Sequence, residues 1–229
     1  MTSIADDSER LLAVATKAAL SVGDPLRAAF RSAMGYSYKR DVHDIVTVHD
    51  RASEDRISAV IMGEVKDSTI IGEERGPVGN GAVHWYVDPI DGTSNFARGI
   101  ANWCVSIAAA IDDRIVAGVI YDPVAGHVFT ASLAGAWLNG DRLAGNASPE
   151  EARAVVVTGF PNARHVAHIG PGALDAYGEL LDAFLAVRNL GSGAIQLAHV
   201  AAGWADATMG FDTNAWDIAA GVLIVTQAG

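Results

Sequence analysis

The stretch VDPIDGTSNF, residues 87–96, sets Asp88 and Asp91 on either side of Pro89 and Ile90, immediately after an apolar run. Three other segments also carry acids at the end of apolar runs: HDIVTVHD (43–50) with Asp50, IGEERG (71–76) with Glu73, and NAWDIAAG (214–221) with Asp217. A strand ending at Asp88 aims that carboxylate out of the sheet edge, and Pro89 stops the ladder so that Asp91 turns back toward the same point. Two like charges about 4 Å apart repel by roughly 4 kcal/mol at an effective dielectric of 20, so such a pair calls for a proton or a cation. Carboxylates without His or Cys suit a hard divalent ion, Mg²⁺ or Mn²⁺ in preference to Zn²⁺. Gly92 then permits close backbone approach, and Thr93 and Ser94 can start a helix whose free N–H groups attract an anion, for which a phosphate is the natural candidate.

Each piece also has a plainer reading. Asp217 falls in the first turn of a helix that Asn214 can cap, where an acid is favoured by the helix dipole. GEERG alone reads as a surface turn and DPIDG as an Asp-Pro turn with a capping aspartate, so the combination carries the argument. Other motifs fail on spacing. A calcium loop starting at Asp88 meets Ile90 and Gly99 where it needs oxygen ligands, and the D-x-D-G-T signature of aspartyl-nucleophile phosphatases is broken by Pro89. HVAH (165–168) has neither the spacing nor the glutamate of a zinc-protease motif, and GPVGNG (76–81) lacks the Gly-Lys-Ser/Thr of a P-loop.

The elements that must position these acids are legible from periodicity. Apolar residues at helical spacing predict a helix over 6–22, with Asp6, Asp7 or Ser8 as its cap, and a second over 48–65 with an Ile57, Val60, Ile61, Val65 stripe. From 83 onward, VHWYV, WCVSIAAAI, RIVAGVIY, HVFTA and GAWL read as a largely antiparallel sheet. After GNASPEE (145–151) strands and helices alternate, with helices over about 173–186, 194–202 and 215–227. A boundary near 147 divides the chain into an N-terminal α+β subdomain, 1–146, and a C-terminal α/β subdomain, 147–229.

With 229 residues, half of them apolar, the chain can bury a sizeable core. An acidic N-terminus and short apolar runs predict a soluble, cytoplasmic protein with no membrane partner. A net charge of −11 and no cluster of Lys and Arg argue against nucleic-acid binding. Cys104, the one cysteine, lies in an apolar segment and reads as a buried structural thiol.

The set formed by DPIDGTSNF, WDIAAG, GEE and the D-x-V-T-x-x-D pattern of DIVTVHD resembles the inositol monophosphatase family, from about residue 10 to 229. That family lies within the Mg²⁺-dependent, Li⁺-sensitive phosphatases that include fructose bisphosphatases. The resemblance implies an α+β fold built as a layered α-β-α-β-α sandwich, and a homodimer. It implies that Glu73, Asp88 and the Ile90 carbonyl hold a first metal, that Asp88, Asp91 and Asp217 hold a second, and that a third Mg²⁺ can sit near Glu73. Thr93, bonded to Asp50, would orient the attacking water, and the start of the following helix, Gly92, Thr93 and Ser94, would grip the phosphate. The segment RNLGSGAIQLAHVAAGWADA resembles the family's substrate loop, placing Gly191, Ser192 and Gly193, with Asp217, beside the substrate, although Ser192 fits a helix cap equally well.

Two departures bear on substrate. Gly210 stands where inositol-specific members carry a glutamate, and the chain ends at Gly229 where the family continues through a further strand and helix, whose loss is expected to expose apolar surface. The expected reaction is hydrolysis of inositol monophosphate or a similar polyol or sugar phosphate. Fructose 1,6-bisphosphate, histidinol phosphate and an adenosine phosphate stand as alternatives, as does a non-catalytic, metal-binding regulatory member. A second phosphate would call on cations, for which Lys39, Arg40, Arg98, Arg164 and Arg188 are the candidates.

Overall fold

The computed structural model describes residues 3–39 and 45–229. Helix α1 (Ile4–Ser21) starts earlier than its periodicity predicts because Ser3 is the cap: Asp6 N donates to Ser3 Oγ at 3.2 Å, and Ser3 N to Asp6 Oδ2 at 3.3 Å. It buries a stripe of Leu11, Val14, Ala15 and Ala18 and is followed by α2 (Gly23–Ala29). Strands β1 (Tyr36–Tyr38) and β2 (Ile45–Thr47) form a small antiparallel pair that the sequence reading did not anticipate. Arg40 and Asp44, the first residue of the DIVTVHD motif, lie outside the described residues. Helix α3 (Val48–Glu64) begins on a capping box in which Thr47 is the cap and Asp50 reaches back to the Thr47 backbone N at 2.8 Å.

The large sheet contains β3 (Ser68–Gly72), β4 (Gly76–Gly79) and β5 (Val83–Asp91), which runs into the short helix α4 (Thr93–Arg98). It continues with β6 (Cys104–Ile111), β7 (Arg114–Asp122), β8 (His127–Ser132), β9 (Gly135–Leu138) and β10 (Asp141–Arg142). The order is β10-β9-β8-β7-β6-β5-β3-β4, antiparallel throughout except for the parallel β3–β5 pair. The central strand β6 is apolar along nearly its whole length because both faces are covered. Val105, Ile107 and Ala109 face a core with α1 and α3, whereas Cys104 and Ala108 face the opposite side.

The remaining elements are β11 (Val155–Thr158), α5 (Ala163–Ile169), α6 (Gly172–Ala183), β12 (Ala186–Arg188), α7 (Gly193–Ala201), β13 (Ala207–Met209) and α8 (Ala215–Ala228). The three strands form a parallel sheet ordered β12-β11-β13. The helix expected over 173–186 stops at Ala183, with β12 starting at Ala186, and α5 precedes it, started by Asn162, whose Oδ1 accepts from Arg164 N and His165 N at 3.0 and 3.1 Å. Helices α7 and α8 pack on the large sheet and share its second core through Ala194, Ala198, Ala220 and Ile224. A Cβ on Gly118 of β7 would sit 3.0 Å from Ala220 Cα, so a bare backbone there lets α8 lie close. With α7 also against β11 and β13, and α6 against β12, the layers run α-β-α-β-α as expected. Among the described residues no helix is long and apolar enough to cross a membrane.

Candidate active site

Strand β5 does not end at Asp88. Its ladder with β6 pairs Asp88 with Ser106 and Asp91 with Cys104, so an extra residue bulges between them. Pro89 falls within the bulge, where its missing N–H removes no ladder bond, and the strand resumes long enough to deliver Asp91. The expectation that proline stops the strand is corrected in that respect: the bulge, not the strand end, re-aims the second aspartate. Asp88 is buried and accepts from Ile90 N at 3.0 Å. Asp91 Oδ2 accepts from Ser192 Oγ and Ala194 N, both at 2.6 Å, which ties the end of β5 to the start of α7.

The electrostatics of these acids are mutual. Burial pushes the Asp88 pKa well above the ordinary carboxylate range, and the charges of Glu73, Asp91, Asp217 and Asp50 push the same way. Burial raises Asp91 to about 6; the Ser192 and Ala194 hydrogen bonds hold it down, and Asp217 and Glu73 raise it further. Burial also raises Asp217, against hydrogen bonds from Asn214, whose N donates to Asp217 Oδ2 at 2.7 Å. Thus Asp217 closes the capping box of α8 while its charge is felt at Asp88 and Asp91. Among the described residues no three His, Cys, Asp or Glu side chains are drawn around one point as for a metal ion. The acids stand within electrostatic reach but apart, as like charges do. An all-oxygen donor set that destabilises its own charge in a buried position fits a hard divalent cation.

Thr93 links the cluster to α3. Its hydroxyl lies 3.1 Å from Asp50 Oδ1 and 3.0 Å from the Ile90 carbonyl, one proton serving either acceptor. Asp50 is fully buried, and its other oxygen accepts from Thr47 N at 2.8 Å and Thr47 Oγ1 at 2.6 Å. Burial raises the Asp50 pKa, and the Thr47 bonds oppose the rise. Thr47 lies within DIVTVHD and carries no role expected from the motif; its spacing of three from Asp50 is the capping-box signature that marks it. Gly92 has φ +92°, and a Cβ there would come within 2.9 Å of the Asn102 carbonyl and 3.3 Å of the Gly191 carbonyl. Asn95, also missed, donates from Nδ2 to the carbonyls of Asn102 and Leu190 at 2.7 and 2.8 Å, pinning α4 to the Gly191 loop. No sequence signal marks it, because Leu190 is remote in the chain.

Glu73 opens the turn after β3 and lies 2.8 Å from Lys39 Nζ, which also pairs with Glu74. Burial works against the Lys39 ammonium, but Glu73 and Glu74 outweigh it and raise its pKa. The turn is anchored from beneath by buried Glu54, which accepts from Glu74 N and Arg75 N at 2.8 and 2.9 Å. Ser94 lies in the first turn of α4 and is exposed. Of the other candidate cations, Arg98 lies over the Tyr36 ring, Arg188 donates to the Val187 carbonyl, and Arg164 lines a ≈340 Å³ cavity beside Gly191.

The predicted substrate loop is brought to the acids by Ser192, which both caps α7, accepting from Ile195 N at 3.2 Å, and donates to Asp91. The helix-cap reading of Ser192 is the one the structure shows, and its hydroxyl proton goes to Asp91. Gly191, Ser192 and Gly193 also line a ≈170 Å³ cavity with Gly210. Cys104 is buried with its thiol pKa pushed well up by burial, 3.8 Å from Ser192 Oγ.

A layered α+β sandwich with buried acids at a bulged central strand, tied to a threonine and a capped helix, is the arrangement of a metal-assisted phosphatase family. The sequence profile of the Inositol monophosphatase family matches residues 7–229, and the chain belongs to that family. The Nus factor SuhB of Pasteurella multocida is 36% identical over 229 residues, covering 96% of this chain and 83% of the relative. Among solved structures, the extragenic suppressor protein suhB from Bartonella henselae superposes with a TM-score of 0.89 at 31% identity, covering 96% of this chain and 85% of that one. The inositol monophosphatase from Anabaena (Nostoc) sp. PCC 7120 gives a TM-score of 0.83 at 31% identity, covering 96% and 82%.

Proposed function

We propose that the protein is a Mg²⁺-dependent phosphomonoesterase that hydrolyses a small phosphorylated alcohol by direct attack of water. The observation that carries this is Asp88, buried and destabilised by Glu73, Asp91 and Asp217, beside the Thr93–Asp50 hydrogen bond. Glu73, Asp88, the Ile90 carbonyl, Asp91 and Asp217 are the residues that would hold Mg²⁺, or Mn²⁺, in two or three ions. When bound, the metal supplies Lewis-acid stabilisation of the phosphate and a water of lowered pKa.

The chain's own residues do the orienting. With its proton donated to Asp50, Thr93 Oγ1 presents a lone pair that accepts from the attacking water, and Thr47 keeps Asp50 in the rotamer this requires. The backbone N–H groups of Gly92 and Thr93 hold the phosphate, and Ser192 fixes Asp91 against α7. Inositol monophosphate and related polyol or sugar phosphates are the substrates that family membership favours. The assay is phosphate release from a broad panel of monoesters at several concentrations of Mg²⁺. No release from any member would refute the reading.

A second reading rests on the name Nus factor borne by the relatives: a regulatory role that needs the fold but no turnover. Asp91→Asn separates the two, because a regulatory function survives the substitution and an enzymatic one is lost with turnover.

A further inference from the structure

Resting on the phosphatase reading, the ≈170 Å³ cavity next to Ser192 narrows the alcohol. Its wall carries three rings: Phe160 and His165 with centroids 5.3 Å apart, and Phe211 at 5.3 and 5.7 Å from them. Phe160 and His165 are each 7% exposed and form a fixed base, whereas Phe211 is 54% exposed and offers an open aromatic face at the rim.

Several polar side-chain atoms of the wall are already engaged. Ser192 Oγ serves Asp91 and Ile195 N, Asn162 Oδ1 caps α5, Gln196 Oε1 accepts from Thr208 Oγ1 at 3.2 Å, and His165 Nδ1 accepts from Asn162 N at 3.1 Å. Gly210 contributes no side chain, and no Asp, Glu, Lys or Arg lines this cavity among the described residues. A ring with a hydroxyl on every carbon would find Thr213 Oγ1, Asn162 Nδ2 and Gln196 Nε2 as further side-chain partners and no charged group, too few for all its hydroxyls, which is unfavourable for each one left unpaired. An apolar flat ring loses nothing and gains the aromatic faces. Its size matches one ring, since pockets for drug-sized or nucleoside-sized guests begin at about 300 Å³.

We infer that the phosphorylated alcohol carries a single flat, sparsely hydroxylated aromatic or heteroaromatic ring that seats against Phe160, His165 and Phe211. The test compares kcat/KM of the Mg²⁺-loaded enzyme on benzyl phosphate, cyclohexylmethyl phosphate, inositol 1-phosphate and glycerol 2-phosphate. Benzyl phosphate is expected to exceed the other two ring compounds. Phe211→Leu, at an exposed position, is expected to lower the benzyl-to-glycerol ratio roughly three- to ten-fold, and Phe211→Tyr to retain it. Equal or better turnover of inositol 1-phosphate, equal turnover of the cyclohexylmethyl ester, or a ratio unmoved by Phe211→Leu overturns the inference. Hydrolysis of glycerol 2-phosphate without ring preference removes this inference alone, whereas no phosphate from any of the four removes the phosphatase reading with it.

Discussion

Replacing Asp91 by Asn should make the metal-free protein more stable at neutral pH while abolishing turnover. Burial dominates the rise of the Asp91 pKa from 3.8 to about 6, against the restraint of Ser192 and Ala194. Because the folded-state value is the higher one, the folded protein binds a proton more tightly than the unfolded chain between pH 4 and 6. Stability therefore falls as pH rises through that window, and the whole penalty is present above it. About two pH units at roughly 1.4 kcal/mol each give about 3 kcal/mol at pH 7.5. The amide oxygen of Asn can still accept from Ser192 Oγ and Ala194 N, so the hydrogen bonds are retained as the charge is removed. In EDTA at pH 7.5, Asp91→Asn should gain about 2–3 kcal/mol in urea unfolding, or roughly 5–10 °C in Tm for a chain of this length. At pH 4 the gain should shrink below about 1 kcal/mol as the wild-type carboxyl takes up its proton. Mg²⁺ should close the gap by stabilising the wild type more than the variant. A variant no more stable than wild type at pH 7.5, or a difference that does not change with pH, would show that Asp91 carries no such electrostatic burden.

Thr47→Val removes the hydroxyl that positions Asp50, and should lower stability by about 1–2 kcal/mol and kcat by roughly ten-fold or more; unchanged kcat would separate the capping role from the site. Asn95→Ala leaves two carbonyls without their donor and should cost about 1–3 kcal/mol, with faster amide exchange at Gly191 to Gly193; protection equal to wild type would show that the loop is held otherwise. Lys39→Met frees Glu73 and Glu74 from their ammonium and should tighten Mg²⁺ binding in calorimetry, and weaker binding would mean that Lys39 supports the site instead. Gly118→Val should destabilise by about 1–3 kcal/mol or more, because its Cβ meets the α8 backbone at Ala220; a neutral effect would show that α8 moves aside without strain.

Long helices were legible to within a few residues because their apolar stripes extend over several turns, as with Ile57 and Ile61 on α3. The edges were not. Strands β1 and β4 are short and exposed and show little alternation, and the start of α1 was set by Ser3, which competes with equally good caps a few residues on. Within the site, Asp88, Asp91, Glu73 and Asp217 stood out as acids ending apolar runs, whereas Asn95 did not and Lys39 was expected to meet a second phosphate rather than Glu73, since their partners are decided by packing between distant segments.

The amino-acid order by itself determined the local chemistry: which segments are apolar enough to be buried, where acids interrupt them, which residues can cap α3, α7 and α8, and that Gly210 adds no charge. Tertiary structure alone decided how those pieces meet. The bulge at Pro89 turns Asp91 toward Ser192, Thr93 reaches Asp50 across α3, and the rings of Phe160, His165 and Phe211 close on one cavity. The division follows from range: capping and periodicity act over a few residues and can be read in order along the chain. Desolvation and charge repulsion act through space, and depend on neighbours that only folding supplies.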